Sequence, residues 1–392
     1  MPTECDVKQL PDYLEFDTAH IRRSRERQAR FWRREKLDTP LLLIHGKLSA
    51  RQQTIPEYDQ LQTFTDQAKM LCMQARAACA VANARSDTVP SIRANLGTGI
   101  LPATLGLEQE AFPDKMPWLK EHLTKAQIAK LTPDDIRPRG SFARGLDMMR
   151  FFKQIMGDSI PVYVMDTQGP FDLAHLLLGD ELFVQLYDDP PFVHHLMELC
   201  LAMGVKAHRW MKDAVGEPLT AMHHGNALYT ENFGIRICED TTVMIGPEQM
   251  EEFALAYSRR LAREFGGAYV HYCGYNEYLT DAILAAPEFK ILNFGHIPGH
   301  EHEIDFYRNM EKFEKAGKIN YNGWPRFPGE TPEAYLTRLH KFAARGILAP
   351  ILHKFAARGI LAPIFWPWDD ITLTGWQPPH EILAFWRSLG KG

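Results

Sequence analysis

The chain of 392 residues predicts an α/β fold, a (β/α)8 TIM barrel with an N-terminal helical extension over residues 1–39. Three observations carry that expectation. Short apolar runs alternate with longer helical patterns, which is the pattern of β/α units around a parallel sheet. Polar residues close almost every one of those runs, where barrels hold their chemistry. The length suits one barrel with insertions, so residues 1–392 are expected to form a single domain.

Taken in order, the N-terminal extension holds the basic stretch RRSRERQARFWRREK (22–36). It reads as a helix anchored by Phe31 and Trp32, and the acidic residues Glu26 and Glu35 make it a solvated face rather than a nucleic-acid patch. Eight strands are expected, at 40–45, 90–95, 161–166, 234–240, 268–273, 289–294, 318–322 and 359–365. The segment 219–230 (LTAMHHGNALYT) fits no β/α unit and reads as an inserted loop or hairpin near the barrel mouth. A helix opens at Gly246-Pro247, because proline suits a first helical turn and Met250, Phe253, Ala254, Tyr257 and Leu261 keep helical spacing. Thr331-Pro332 opens another, expected to reach about Arg345.

The segment LHKFAARGILAPI (339–351) is repeated letter for letter at 352–364. Two short tandem units do not make a solenoid, which needs at least three. Only one GILAP can be the eighth strand. The second copy is the expected one, because it leads directly into WPWDD, with 346–358 bulging out as an extra loop and short helix.

Composition narrows the function classes. Hydrophobic residues make up 45% and charged residues 24%, as in ordinary globular proteins, and the net charge of -5 gives no general attraction to nucleic acid or anionic membrane. No apolar run approaches the ~18–20 residues of a membrane span, and MPTECDVKQLPDYLEF does not read as a signal peptide. Six scattered cysteines are expected to be reduced thiols, which points to the cytoplasm.

The strand ends supply candidate chemistry: His45, Arg93 and Asn95, Asp166 with Gln168, Glu239 and Asp240, His271 with Cys273, Asn293 with His296, Tyr321 with Asn322, and Trp366 with Asp369 and Asp370. Thr167-Gln168-Gly169-Pro170 looks like a turn into a helix. In His271-Tyr272-Cys273-Gly274, residues two apart on a strand project to one face, so imidazole and thiol point together into the barrel. Both are zinc ligands, though a core cysteine beside a hydrogen-bonded histidine has the same spacing. Glu239 or Asp240 suits a general base, a ligand or a loop cap. His223-His224, neighbours in sequence, point apart and suit a surface loop. Trp366 and Trp368 suit packing, or a flat ligand at the mouth.

DTQGPFDLAHLLLGDELFVQLYDDPPFVHHLMELC (166–200), CEDTTVMIGPEQMEEFALAYSRRL (238–261) and VHYCGYNEYL (270–279) together resemble the uroporphyrinogen decarboxylase superfamily, in the family's order and at compatible spacing. The resemblance covers roughly 160–300 and implies either of two activities. One is cofactor-free decarboxylation of a tetrapyrrole acid, with Asp166 or Asp240 stabilising a protonated pyrrole and Arg93 holding a carboxylate. The other is zinc-dependent methyl transfer between a corrinoid carrier and a thiol or related acceptor, with His271 and Cys273 as ligands. Cobalamin would then enter only with a substrate or a partner corrinoid protein. A barrel that binds a tetrapyrrole or corrinoid without turnover is the non-enzymatic reading. Asn95, Gln168 and Trp366 join Arg93 as expected substrate contacts, and Asp166, Glu239 and Asp240 are the expected catalytic carboxylates. The sequence departs from both patterns. No cysteine follows Cys273, so Asp369, His296 or Glu239 would have to complete a zinc site. The decarboxylase's arginine-containing N-terminal signature is not visible before His45, and RANLGTG (93–99) stands where its acidic residue is expected.

Overall fold

The computed structural model describes residues 6–295, 304–352 and 379–390. It is a mixed α/β structure built on parallel strands surrounded by helices. Ten strands are described: β1 Leu43–Ile44, β2 Gln109–Glu110, β3 Trp118–Leu119, β4 Met222–His224, β5 Leu228–Thr230, β6 Ile235–Cys238, β7 Ala268–Tyr272, β8 Phe289–Phe294, β9 Ile319–Asn320 and β10 Ile351–Leu352. The order β6-β7-β8-β9 forms a parallel sheet, and β1 pairs in parallel with β10.

Several expected strands are shorter than their apolar runs. The segments 90–95 and 161–166 meet through one parallel bridge, Ile92 with Val162, where the Ile92 N–H donates to Pro161 O and the Tyr163 N–H to Ile92 O, both at 2.9 Å. Two small hairpins are antiparallel, β2 with β3 and β4 with β5.

The eighth-strand expectation is overturned. The first repeat copy takes the position: Leu348 bridges Asn320, the Ala349 N–H donates to Asn320 O at 2.9 Å, and the Leu43 N–H donates to Pro350 O at 3.0 Å. The reason is connectivity. The helix Pro332–Ala343 ends beside β9, Gly346 turns the chain at φ +69°, and the next residues able to extend are Ile347–Leu352. The helix stops two residues short of Arg345. Residues 359–365, Trp366, Trp368, Asp369, Asp370 and His296 lie outside the described residues.

Alternation along the strands sorts the core into two bodies. Ala268, Val270 and Tyr272 belong to the large cluster shared with the helices, and the Tyr272 hydroxyl meets Thr280 of the helix Glu277–Ala285. Tyr269 instead joins Leu41, Leu43, Ile291, Ile319, Tyr321 and Ala349 on the opposite face. Phe31 and Trp32 of the helix Thr18–Trp32 belong to this second body, and the Trp32 indole N–H donates to Tyr229 O at 2.8 Å. Asp17 caps that helix, accepting from the His20 N–H.

The 219–230 segment is a hairpin but does not sit at the carboxyl ends of the strands. It directly precedes β6; Ala227 O accepts the Val89 N–H ahead of the 90–95 segment, and His224 packs edge-on against Tyr269 near the start of β7. The surface assignment of His223-His224 is also corrected. His223 is buried and bonded to Glu217 at 2.9 Å, and Glu217 also takes an ion pair from the buried Lys212. Within the buried hairpin region the Glu217 carboxylate is thus paired with both His223 Nδ1 and the Lys212 ammonium.

Candidate metal centre

Period-two alternation brings the reactive side chains together at the carboxyl ends of β6 and β7. Cys238 pairs in register with His271. Cys238, Asp240 and His271 each offer a ligand atom within 4.8 Å of the other two. Cys273 adjoins this group, with its Sγ 3.5 Å from His271 Nε2 and its backbone N–H donating to Asp240 Oδ1 at 2.6 Å. His271 Nε2 lies 3.8 Å from Asp240 Oδ1. Gly274 follows at φ +76°, a left-handed conformation that glycine adopts freely and that ends the strand.

A hydrogen-bond chain orients the imidazole. Asn293 Nδ2 donates to Tyr321 O at 2.8 Å and to Asn322 Oδ1 at 2.9 Å, which turns Asn293 Oδ1 toward His271. Oδ1 can only accept, so His271 Nδ1 carries the proton across their 2.5 Å contact and Nε2 keeps its lone pair for the cluster. Burial, reinforced by the Arg236 charge, pushes the His271 pKa down to about 4, so the ring is neutral at physiological pH. A neutral, backed imidazole is the form that ligates metals.

The carboxylates divide by face. Asp240 lies within the cluster, and Asp172 holds its backbone, with Oδ2 accepting the Asp240 N–H at 3.0 Å and Oδ1 the Thr241 N–H at 2.7 Å. Burial and the nearby Asp240 and Glu239 charges raise the Asp172 pKa well above the carboxylate range. Glu239 is turned the other way. Its carboxylate accepts from the Thr242 and Ser258 hydroxyls, and burial raises its pKa to about 7. It belongs to the packing behind β6 rather than to the metal cluster.

Asp166 lies next to the centre, between two guanidinium groups. Arg236 Nη1 donates to its Oδ1 at 3.2 Å and Arg93 Nη2 approaches Oδ2 at 3.5 Å. Burial opposes its charge, but the two arginines overcome that and hold its pKa below the ordinary value. The other Arg236 nitrogen, Nη2, lies 3.5 Å from Cys238 Sγ, so this arginine links Asp166 to the cluster. Gly169 brings the third strand end against β6: its N–H donates to Cys238 O at 2.7 Å, and a Cβ there would stand 2.6 Å from that oxygen.

Of the residues expected at the site, His271, Cys273, Asp240, Asp166 and Arg93 converge, and Asn95 reaches Arg93 through a 3.2 Å hydrogen bond. Gln168 is buried beside Asp166 in the chain. Sequence reasoning missed Cys238, Arg236 and Asp172; Asn293, a strand-end candidate from the sequence, is the residue that orients His271. A signal existed for the first: Cys238-x-Asp240 has the same spacing as His271-x-Cys273 on the next strand.

No family model and no curated protein matches the chain. Among solved structures it is similar to a methyltransferase from Methanosarcina mazei, at 13% identity and TM-score 0.63, covering 94% of this chain and 99% of that chain. The two share a fold. Across the described residues no helix is long and apolar enough to cross a membrane.

Proposed function

We propose that the chain is a metal-assisted methyltransferase of the uroporphyrinogen decarboxylase superfamily, moving a methyl group between a corrinoid or other small carrier and an acceptor such as a thiol. The observation that carries this reading is the convergence of Cys238, Asp240 and His271, with Cys273 beside them, at one set of strand ends. A closed (β/α)8 barrel is part of the proposal. It is supported by contacts between successive strand segments, including Leu43–Ile351, Leu348–Asn320, Ile92–Val162 and the Thr167 hydroxyl donating to Arg236 O.

The donor set fits zinc, because thiolate sulfur, imidazole nitrogen and carboxylate oxygen are its usual ligands and three or four of them make a catalytic or structural site. His271 and Cys273 are the ligands the sequence suggests, and Cys238 or Asp240, close to His271, would supply the further ligand that the absent downstream cysteine does not. A zinc ion here would lower the pKa of an acceptor thiol and hold its anion for attack on the methyl carbon. The protein's own groups do the positioning. Asn293 fixes the His271 tautomer, Asp172 and the Cys273 N–H hold Asp240 in place, and Arg236 keeps its charge against Cys238 and Asp166. The corrinoid is assigned to a substrate or a partner protein.

Metal-replete protein is expected to hold about one zinc ion and to transfer methyl from methylcobalamin to a thiol, and chelated protein is expected to lose both. Cys273→Ser should reduce bound zinc strongly, since a hydroxyl replaces a thiolate poorly. Elemental analysis and a methyl-transfer assay read these outcomes. No zinc in either purified or zinc-soaked protein would sink the reading. Carbon dioxide release from uroporphyrinogen by metal-free protein would put decarboxylation in its place, and tetrapyrrole binding without turnover would leave a binding barrel.

A further inference from the structure

The hairpin of β4 and β5 sends one of its two histidines toward the candidate centre. Alternation puts His224 on the face of Met222, opposite Leu228 in the pairing and away from His223. Met222 and Leu228 belong to the second core body, with Tyr269, Ile291 and Ile319 of β7, β8 and β9, on the side of these strands that faces away from the helices. The His224 ring meets two tyrosines edge-on, Tyr163 with centroids 6.1 Å apart and Tyr269 at 5.5 Å. Each tyrosine leads to a strand end already described. The Arg93 guanidinium stands over the Tyr163 ring at 5.9 Å, and Tyr269 lies two residues before His271 on the same face of β7.

His224 differs from the residues around it. Met222, His223 and Leu228 are buried, whereas His224 is partly exposed. Among the described residues neither of its ring nitrogens has a hydrogen-bond partner, and neither is sealed, unlike Nε2 of His223. The hairpin beneath it is closed by Met222, Leu228, Phe233 and Trp32, all buried, so the space that reaches the imidazole lies on the side of the tyrosines and the strand ends. Burial pushes its pKa well below the ordinary value, the Arg236, Arg93 and His271 charges push it the same way, and Asp166 opposes them. The ring is therefore neutral at physiological pH, with one donor and one acceptor. A phenylalanine would make the same edge-on contacts without the cost of an unpaired polar ring, so packing does not account for a histidine here.

We infer that His224 is a specificity-determining residue: the space at the strand ends continues inward to it, and its imidazole hydrogen-bonds a neutral polar group, a hydroxyl or an amide, at the inner end of the substrate. The inference rests on reading these strand ends as an active site and deepens that reading by naming what the far end of the substrate carries. A hydroxyl or an amide matches the ring because each can both donate and accept. A cationic end is disfavoured, since two guanidinium groups, Arg93 and Arg236, flank the one carboxylate of Asp166.

The test has two arms, both on the full chain. In the first, native protein is treated with diethyl pyrocarbonate, which acylates reachable neutral imidazoles, and the modified residues are mapped by mass spectrometry. His224 should be modified while its sealed neighbour His223 is spared, and an unmodified His224 overturns the inference. In the second, zinc-soaked wild type and His224→Phe are compared in methyl transfer from methylcobalamin to 2-mercaptoethanol and to 1-propanethiol, acceptors that differ by a hydroxyl in place of a methyl group. The wild type should favour 2-mercaptoethanol in kcat/KM. His224→Phe should cut that ratio about tenfold, the scale of one hydrogen bond, mainly through KM. A ring that only packs would move both acceptors together, so an unchanged ratio overturns the inference. If His224→Phe does not fold by circular dichroism, His224→Met takes its place in the same comparison. A modified His224 in a protein that never loads zinc would refute the metal reading and leave the inward space standing. Zinc loading and methyl transfer with an unmodified His224 or an unchanged ratio would do the reverse.

Discussion

At the scale of single residues, burial decides charge state. His208, on the helix Pro190–Val215, is fully buried with its ring 5.3 Å from that of Phe265, and its Nδ1–H donates to Gly204 O at 2.7 Å. Burial is the main reason its pKa falls to about 4, so the folded ring stays neutral while the unfolded one titrates near its ordinary value. Between those two values the unfolded chain binds more protons, so this residue's share of stability is intact at neutral pH and is lost as pH falls. The expected loss is about 2 kcal/mol between roughly pH 7 and pH 5. Urea midpoints of wild type and His208→Gln across that range test it: the variant should show a shallower acid slope, and an identical slope would refute the assignment. The metal centre shows the limit of residue-level reading. His271 and Cys273 were legible because a strand repeats every two residues. Cys238 looked like one of six scattered cysteines until the β6–β7 register set it beside His271.

At the scale of elements, close approach of backbones builds the site. The turn Thr167–Pro170 was legible as a turn, but only packing reveals why its third residue is glycine. An added Cβ at Gly169 would meet Cys238 O at 2.6 Å and Glu239 Oε1 at 2.7 Å. Gly169→Ala therefore forces the third strand end away from β6, with an overpacking cost of about 1–3 kcal/mol and a looser Cys238–Asp240 segment. Lower denaturation midpoints together with weaker zinc binding are expected, and wild-type values for both would contradict the account. The same scale explains Glu239. It adjoins Asp240 in sequence, and alternation sends it to the Ser258 side, where its carboxyl packs instead of facing the cluster. The hairpin at β4 and β5 was legible as an insertion from its misfit to the β/α rhythm. Its position near the starts of the strands was not, because that depends on Val89 and the helix Thr18–Trp32, far away in the chain.

At the scale of the whole molecule, one strand position beside β9 and β1 meets two identical sequences. The first copy supplies most of the pairing, with Leu43 opposite Ile351 and Leu348 bridged to Asn320, and Leu352, the first residue of the second copy, stands opposite Ile44. Deleting 352–364 should leave the Leu43–Ile351 and Leu348–Asn320 contacts in place and put Phe365, a residue suited to extending a strand, where Leu352 stood opposite Ile44. The deleted protein is expected to fold with the Leu43 amide still protected from hydrogen exchange, and loss of that protection would show that the second copy is required. By itself, the amino-acid sequence determined the α/β class, the presence of the helices after Gly246-Pro247 and Thr331-Pro332, and the strand-end positions of Asp166, Asp240, His271 and Cys273. Those follow from local rules: period-two alternation, helical spacing and proline at first turns. Tertiary structure alone decided where the repeat pairs with β1, in which register β6 meets β7, and which arginines surround Asp166. Each of these is a contact between residues distant in the chain, chosen by register, connection length and the pairing of buried charges, and no local pattern encodes them.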